Sequence, residues 1–149
     1  MPNTPALIGE GMSAYALDGN CGAGEKSLAE KILACTGKYI FVSESVMGAV
    51  TGLSGSGPAY VYTVIEALTE GGVAMGLSYG EALKCAAATV RGAASMVEKT
   101  GEHPAVLKSH VLSAGGATAA AVKTLEEGGL RAALIHAVQA SCERSKELG

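Results

Sequence analysis

Apolar positions along this chain change their period near residue 42. Ahead of that point the apolar stretches are short. Ala6–Ile8 and Met12–Leu17 are separated by Gly9-Glu10-Gly11 and have the length and composition of strands. Within Lys26–Thr36, Leu28, Ile32, Leu33 and Cys35 fall at helical spacing, and Gly37 stands where a glycine ends a helix. Tyr39–Val42 is β-branched and aromatic, which predicts a short buried strand. Strand, helix, strand is how an α/β unit ends. No G-x-G-x-x-G fingerprint precedes it, so the chain starts where such a domain should be finishing.

From Glu44 on, the pattern is helical. Pro58, after Gly55-Ser56-Gly57, suits the first position of a helix. Val61, Val64, Ile65, Leu68, Gly72 and Met75 form one face, with Thr63, Glu66 and Glu70 on another. Ser78-Tyr79-Gly80-Glu81 reads as a capping box. It opens an alanine-rich helix with Leu83, Ala86, Ala87, Val90, Ala94 and Val97 expected inward. Gly101–Pro104 breaks the pattern, and Pro104 starts a short helix reaching Val111. A further helix runs to Glu127 and is stopped by Gly128-Gly129. The last, Leu130–Leu148, is expected to bury Leu134, Ala137, Val138 and Cys142, with Arg131, Gln139, Glu143 and Lys146 outward.

Composition adds one inference about surface. Of 149 residues, 48% are hydrophobic and 17% charged, so much apolar surface must be covered, within the fold or between subunits. The net charge of −3 offers no electrostatic attraction to nucleic acid or to an anionic membrane. Cys21, Cys35, Cys85 and Cys142 are widely spaced and make no zinc pattern with His103, His110 and His136; no metal site is expected. Buried or partly buried free thiols in a reducing compartment are the expectation. The N-terminus has no secretory leader pattern. Ser45–Ile65 is 21 residues without a charge, but its serines and glycines read as a flexible polar loop rather than a membrane span. The expectation is a soluble, cytoplasmic protein.

The segment richest in chemistry is Val111-Leu-Ser-Ala-Gly-Gly-Ala-Thr118. Two glycines let the chain turn so that successive N–H groups converge. A helix start adds unpaired N–H groups and partial positive charge, and Thr118 adds a neutral hydroxyl. This suits a carboxylate or a phosphate. The commoner reading is a plain helix start with Ser113 as N-cap, and the residues alone leave both open. Thr51–Pro58 is glycine-rich but lacks the Gly-Lys-Ser/Thr of a P-loop; a tight, closely packed helix entry is the structural alternative. Glu66 and Glu70 read as a solvated face, His136 as a satisfied structural histidine and His103 as a turn residue. His110, three residues before Ser113, is close enough in sequence to reach the same pocket, though a solvated histidine is the commoner outcome.

Jointly the segments say more. Met1-Pro-Asn-Thr-Pro5, Ala49–Tyr60, Gly72-Val-Ala-Met-Gly76, Gly101-Glu-His-Pro104, Ser113–Thr118, Leu125–Arg131 and Ala137–Leu148 follow one another in an order and spacing that resembles pyrroline-5-carboxylate reductase over essentially the whole chain. The resemblance implies reduction of 1-pyrroline-5-carboxylate to L-proline with NADPH or NADH, the last step of proline biosynthesis. It implies a mainly α chain. A helical dimerisation and substrate-carboxylate domain, 43–149, would follow a short α/β remnant of a Rossmann-type dinucleotide-binding domain, 1–42. By the same resemblance Ser113, Gly116, Ala117 and Thr118 hold the substrate carboxylate, Glu44 lines that site, and Thr118 is the hydroxyl nearest the chemistry. Asn3, Thr4 and His110 would lie toward the cofactor. Homodimers or pentamers of dimers are implied, with sites completed across the interface.

The glycine-rich half of the first domain is expected to be missing. The chain then reads as a fragment, a truncated gene product or an engineered piece, inactive in isolation. Ala114 stands where the family usually has Pro, Ala117 where it often has Thr, Gly48 where it often has an acidic residue, and His110 where it often has Asn or Asp. The reading of a different class is a non-catalytic helical oligomerisation module.

Overall fold

The computed structural model describes residues 1–148. The chain is mainly helical. Strand β1 (Gly11–Tyr15), helix α1 (Ala23–Ala34) and strand β2 (Gly37–Phe41) come first. The short α2 (Met47–Val50) leads to α3 (Gly57–Ala74), α4 (Tyr79–Thr100), α5 (Pro104–His110), α6 (Ala117–Glu127) and α7 (Leu130–Leu148). The described residues divide into two compact units, 1–60 with 133–148, and Val61–Ala132.

In the first unit β1 and β2 pair in parallel, Gly11 opposite Gly37 and Tyr15 opposite Phe41. This is the expected strand–helix–strand. Tyr15 is its hub: its ring tilts against Phe41 and Tyr39, and its hydroxyl donates to the Glu30 carboxylate of α1. Loss of solvent around the phenol, and then the Glu30 carboxylate, push the Tyr15 pKa up to about 12. Two expectations fail here. Ala6–Ile8 is not a strand but part of a 3₁₀ turn, Thr4–Ile8, because Pro5 in its first turn presets a helical φ. Tyr39–Phe41 is not buried, because β2 has no second neighbouring strand in this two-stranded sheet.

Ser45–Ile65 is not a flexible loop. A 3₁₀ turn (Glu44–Val46), α2 and a π-turn (Thr51–Gly55) carry the chain helically into α3. The reason is tertiary. Gly52 is buried, and a Cβ there would sit 2.6 Å from the Val138 carbonyl oxygen and 3.1 Å from the Cys142 nitrogen of α7. Only a glycine lets the two backbones approach this closely. The Tyr60 hydroxyl closes the seam, donating toward the carbonyls of Gly52 (3.1 Å) and Ala137 (3.3 Å). Ser56 and Ser141 pair beside it at 2.8 Å.

In the second unit the Ser78–Glu81 capping box is present as read, with the Glu81 carboxylate accepting the Ser78 N–H at 3.0 Å. Gly72 and Ala82 let α3 and α4 pack closely. Ala82, Ala86 and Thr69 are buried. The rest of the expected inward faces is not: Leu83, Ala87, Ala94 and Val97 of α4 are exposed, as are Val61 and Leu68 of α3 and Met75 just beyond its end. On α7 Leu134 is exposed, and Ala137, Val138 and Cys142 are half-buried. The described residues leave these faces uncovered. The four thiols are free as expected, but their expected burial fails for three: Cys21, Cys35 and Cys85 are exposed, and Cys142 is half-buried. No described helix is long and apolar enough to cross a membrane.

Candidate functional site

Ser113 and Gly116 close a tight turn, with the Gly116 N–H bonded to the Ser113 carbonyl at 3.0 Å. Gly115 occupies its third position at φ 68°, a left-handed conformation that glycine adopts without strain. Gly116, not Ser113, is the N-cap of α6, with extended backbone and no side-chain cap. Ser113 instead turns its hydroxyl toward Gly116, so a side chain at Gly116 would strike it. The first N–H groups of α6, on Ala117, Thr118 and Ala119, therefore lie open with no acceptor among the described residues. The Thr118 side chain is exposed on that same first turn. Three backbone donors and the positive end of the helix dipole are open to solvent here, and the exposed Thr118 belongs to the same turn.

The elements on either side are fastened to each other. Lys108 of α5 lies 3.7 Å from Glu126 of α6, and Arg131 at the start of α7 donates to Glu126 at 2.9 Å. The Arg131 guanidinium, then Lys108, hold the Glu126 carboxyl below the usual carboxylate range. Such exposed pairs stabilise little individually, but three elements sharing one carboxylate resist splaying.

His110 is exposed at the end of α5, its Nδ1 3.8 Å from Glu102. It lines a cavity of about 380 Å³ with Met96 and Val97 of α4, Leu107 of α5 and Val111. That cavity is apolar and does not include Ser113–Thr118. His103 caps α5, its Nδ1 accepting the Ala105 N–H at 3.1 Å. His136 is exposed rather than satisfied in a core.

The remaining expected site residues belong to the other unit. Glu44 is exposed at the head of the 3₁₀ turn. Thr4 is exposed. Asn3 is half-buried and both ends of its amide are engaged: Oδ1 accepts the Met12 N–H at 2.9 Å, and Nδ2 donates to the Ser54 carbonyl at 3.1 Å. Sequence reading missed this employment of Asn3, the Gly52–Tyr60 seam and the third open donor at Ala119. Pro58, four residues after Ser54, was the available signal for the first.

The described residues do not fit a dinucleotide diphosphate. The turn from β1 into α1, where such a group would rest on a helix start, carries Asp18. The N-terminus of α1 is filled by its own Glu25, whose carboxylate accepts the Gly22 N–H at 2.9 Å. A second anion there meets negative charge. Among the described residues no group of three or more His, Cys, Asp and Glu could hold a metal ion.

Comparison with known proteins places this geometry. The family model for pyrroline-5-carboxylate reductase dimerisation matches residues 44–148. Pyrroline-5-carboxylate reductase of Arabidopsis thaliana is 49% identical over 99% of this chain, and that of Synechocystis is 48% identical over all of it. The chain spans 54% and 56% of those proteins, about half their length. The structure of a pyrroline-5-carboxylate reductase from Coxiella burnetii superposes with a TM-score of 0.96 at 39% identity, covering 100% of this chain and 56% of that one. The Plasmodium falciparum pyrroline carboxylate reductase, with NADP bound, superposes at 0.94 and 37% identity, covering 100% and 61%. With most of its length matched by the family model, this chain belongs to the pyrroline-5-carboxylate reductase dimerisation family.

Proposed function

We propose that this chain supplies the dimerising, substrate-carboxylate-holding part of a reductase that converts 1-pyrroline-5-carboxylate to L-proline with NADPH or NADH. The open first turn of α6 carries the reading: its free N–H groups and the Thr118 hydroxyl suit a carboxylate on a small ring. In this reading Ser113, Gly116, Ala117 and Thr118 hold that carboxylate, and Glu44 is a further substrate-binding residue. Residues 43–149 form the working domain. The dinucleotide is held mainly outside these residues, with Asn3, Thr4 and His110 as its contacts on this chain, so hydride delivery is not assigned to this chain. The ring's C=N carbon is reduced, its nitrogen takes a proton, and Thr118 is the nearest hydroxyl.

The assembly is a homodimer, or a pentamer of such dimers. What supports self-association is the exposed apolar set on α3 and α4, including Leu68, Leu83, Met96 and Val97, with Met75 between the two helices. Exposed free thiols suit a reducing compartment such as the cytoplasm.

The test is a chimera joining this chain to the part of the Synechocystis protein that it does not span. Dinucleotide oxidation matched by proline formation supports the reading. A chimera that oligomerises yet leaves pyrroline-5-carboxylate unreduced overturns it in favour of a non-catalytic oligomerisation module.

A further inference from the structure

Pro58 leaves a gap in a hydrogen-bond ladder. In an uninterrupted helix the N–H of residue 58 would donate to the Ser54 carbonyl. Proline has no N–H, and its ring crowds that carbonyl. The chain passes the obstruction through the π-turn, where the Ser56 N–H reaches back to the Thr51 carbonyl at 2.9 Å. The Ser54 carbonyl finds its donor 51 residues earlier, in Asn3 Nδ2. The other end of the same amide accepts from Met12 on β1. One partner is an acceptor and the other a donor, so the chemistry of both fixes which way the amide faces. Beside it the Met1 sulfur lies against Gly55. One side chain thus ties β1 to the glycine-rich π-turn, and Glu44 heads the same helical run.

We propose that Asn3 is a positioning residue: its amide replaces the donor that Pro58 lacks and so sets the angle between the β1–α1–β2 piece and the helical run that starts at Glu44. This rests on the reductase reading above and gives Asn3 a different task from contacting the cofactor. Small errors in alignment cost turnover far more than they cost binding.

The experiment uses the chimera. Asn3→Asp keeps the acceptor for Met12 and replaces the donor to Ser54 with a carboxylate oxygen. The expected result is a fall in kcat of about tenfold or more, with KM for both substrates within about twofold, well below the melting temperature. Pro58→Ala restores an N–H that the Ser54 carbonyl can use, so adding Asn3→Asp to it should cost little more. A raised dinucleotide KM at unchanged kcat would make Asn3 a cofactor contact and overturn the proposal. A lowered melting temperature at unchanged kcat would overturn it too. A readout independent of turnover separates it from the reductase reading. Spin labels at Leu28→Cys and Leu53→Cys, with the native cysteines replaced by serine, should give one narrow distance distribution that broadens in Asn3→Asp. If the parent chimera is inactive the reductase reading falls, while the distribution still decides the clamp: an unchanged one refutes it.

Discussion

Gly52→Ala is the smallest change that tests the seam between the π-turn and α7. The added methyl would lie 2.6 Å from the Val138 carbonyl oxygen, 3.1 Å from the Cys142 nitrogen and 3.2 Å from the Cys142 Cβ. Two of these three neighbours are backbone atoms, so no side-chain rotation relieves the clash. Overpacking of this kind costs about 1–3 kcal/mol, and the helix preference for alanine over glycine returns about 0.5–1 kcal/mol. The net expectation is a loss of about 1–2 kcal/mol, deepened if the Tyr60 hydrogen bonds are pulled apart. Urea unfolding followed by circular dichroism measures it: the midpoint should fall while the slope stays the same. Gly24→Ala in α1 is the control, since nothing lies within 4 Å of a Cβ there. It should be neutral or slightly stabilising. A Gly52→Ala protein as stable as its parent would refute the close approach and the explanation of why this glycine-rich segment is helical.

Gly115→Ala forces a side chain into a left-handed conformation at the turn before α6, costing about 1–2 kcal/mol, and in the chimera it should weaken carboxylate inhibitors; unchanged affinity in a titration would show that the turn does not shape the site. The Ser78 hydroxyl, then the Ser78 N–H, lower the Glu81 carboxyl below its usual 4.5. Its folded pKa is therefore below the unfolded one, so the capping contribution is full above about pH 4.5 and fades as pH falls through the lowered value; Glu81→Gln should flatten the acid limb of the stability profile, and an unaltered limb would count against the box. Sedimentation velocity should find the isolated chain as a dimer, because the apolar faces of α3 and α4 need a partner; a stable monomer at micromolar concentration would contradict that.

Local chemistry was legible in the sequence. Ser78–Glu81, Pro104 and Gly128-Gly129 announced helix ends because a cap or a proline acts within a few residues. Ala6–Ile8 was misread because three apolar residues carry no period, and Pro5 decides the matter. Ser45–Ile65 was misread because the helicity of its first part comes from Gly52 against α7, about 90 residues away in sequence, which no window of local propensity contains. The faces read as inward on α3 and α4 are mostly exposed in this chain: Ala86 alone of those residues is buried, and Thr69 and Ala82, outside the expected faces, are buried with it. At the candidate site the glycine pair was legible but the cap was not: Ser113 had the right chemistry and the wrong place, since the turn at Gly115 spends three further residues, Ala114, Gly115 and Gly116, before α6 begins.

The central claim is that the first turn of α6 holds the substrate carboxylate, and Thr118→Val tests it most directly. Valine keeps the shape of threonine and removes only the hydroxyl. Losing a hydrogen bond to a charged group costs about 1.5–3 kcal/mol, roughly ten- to hundredfold in affinity. Thr124→Val is the control: it lies in α6 beyond the first turn, its hydroxyl bonded to the Ala120 carbonyl at 3.2 Å. Calorimetric titration of the chimera with a proline-like carboxylate inhibitor should show the loss for Thr118→Val and none for Thr124→Val. Equal affinity of Thr118→Val and its parent would contradict the account and leave Thr118 as no more than a residue at the start of a helix.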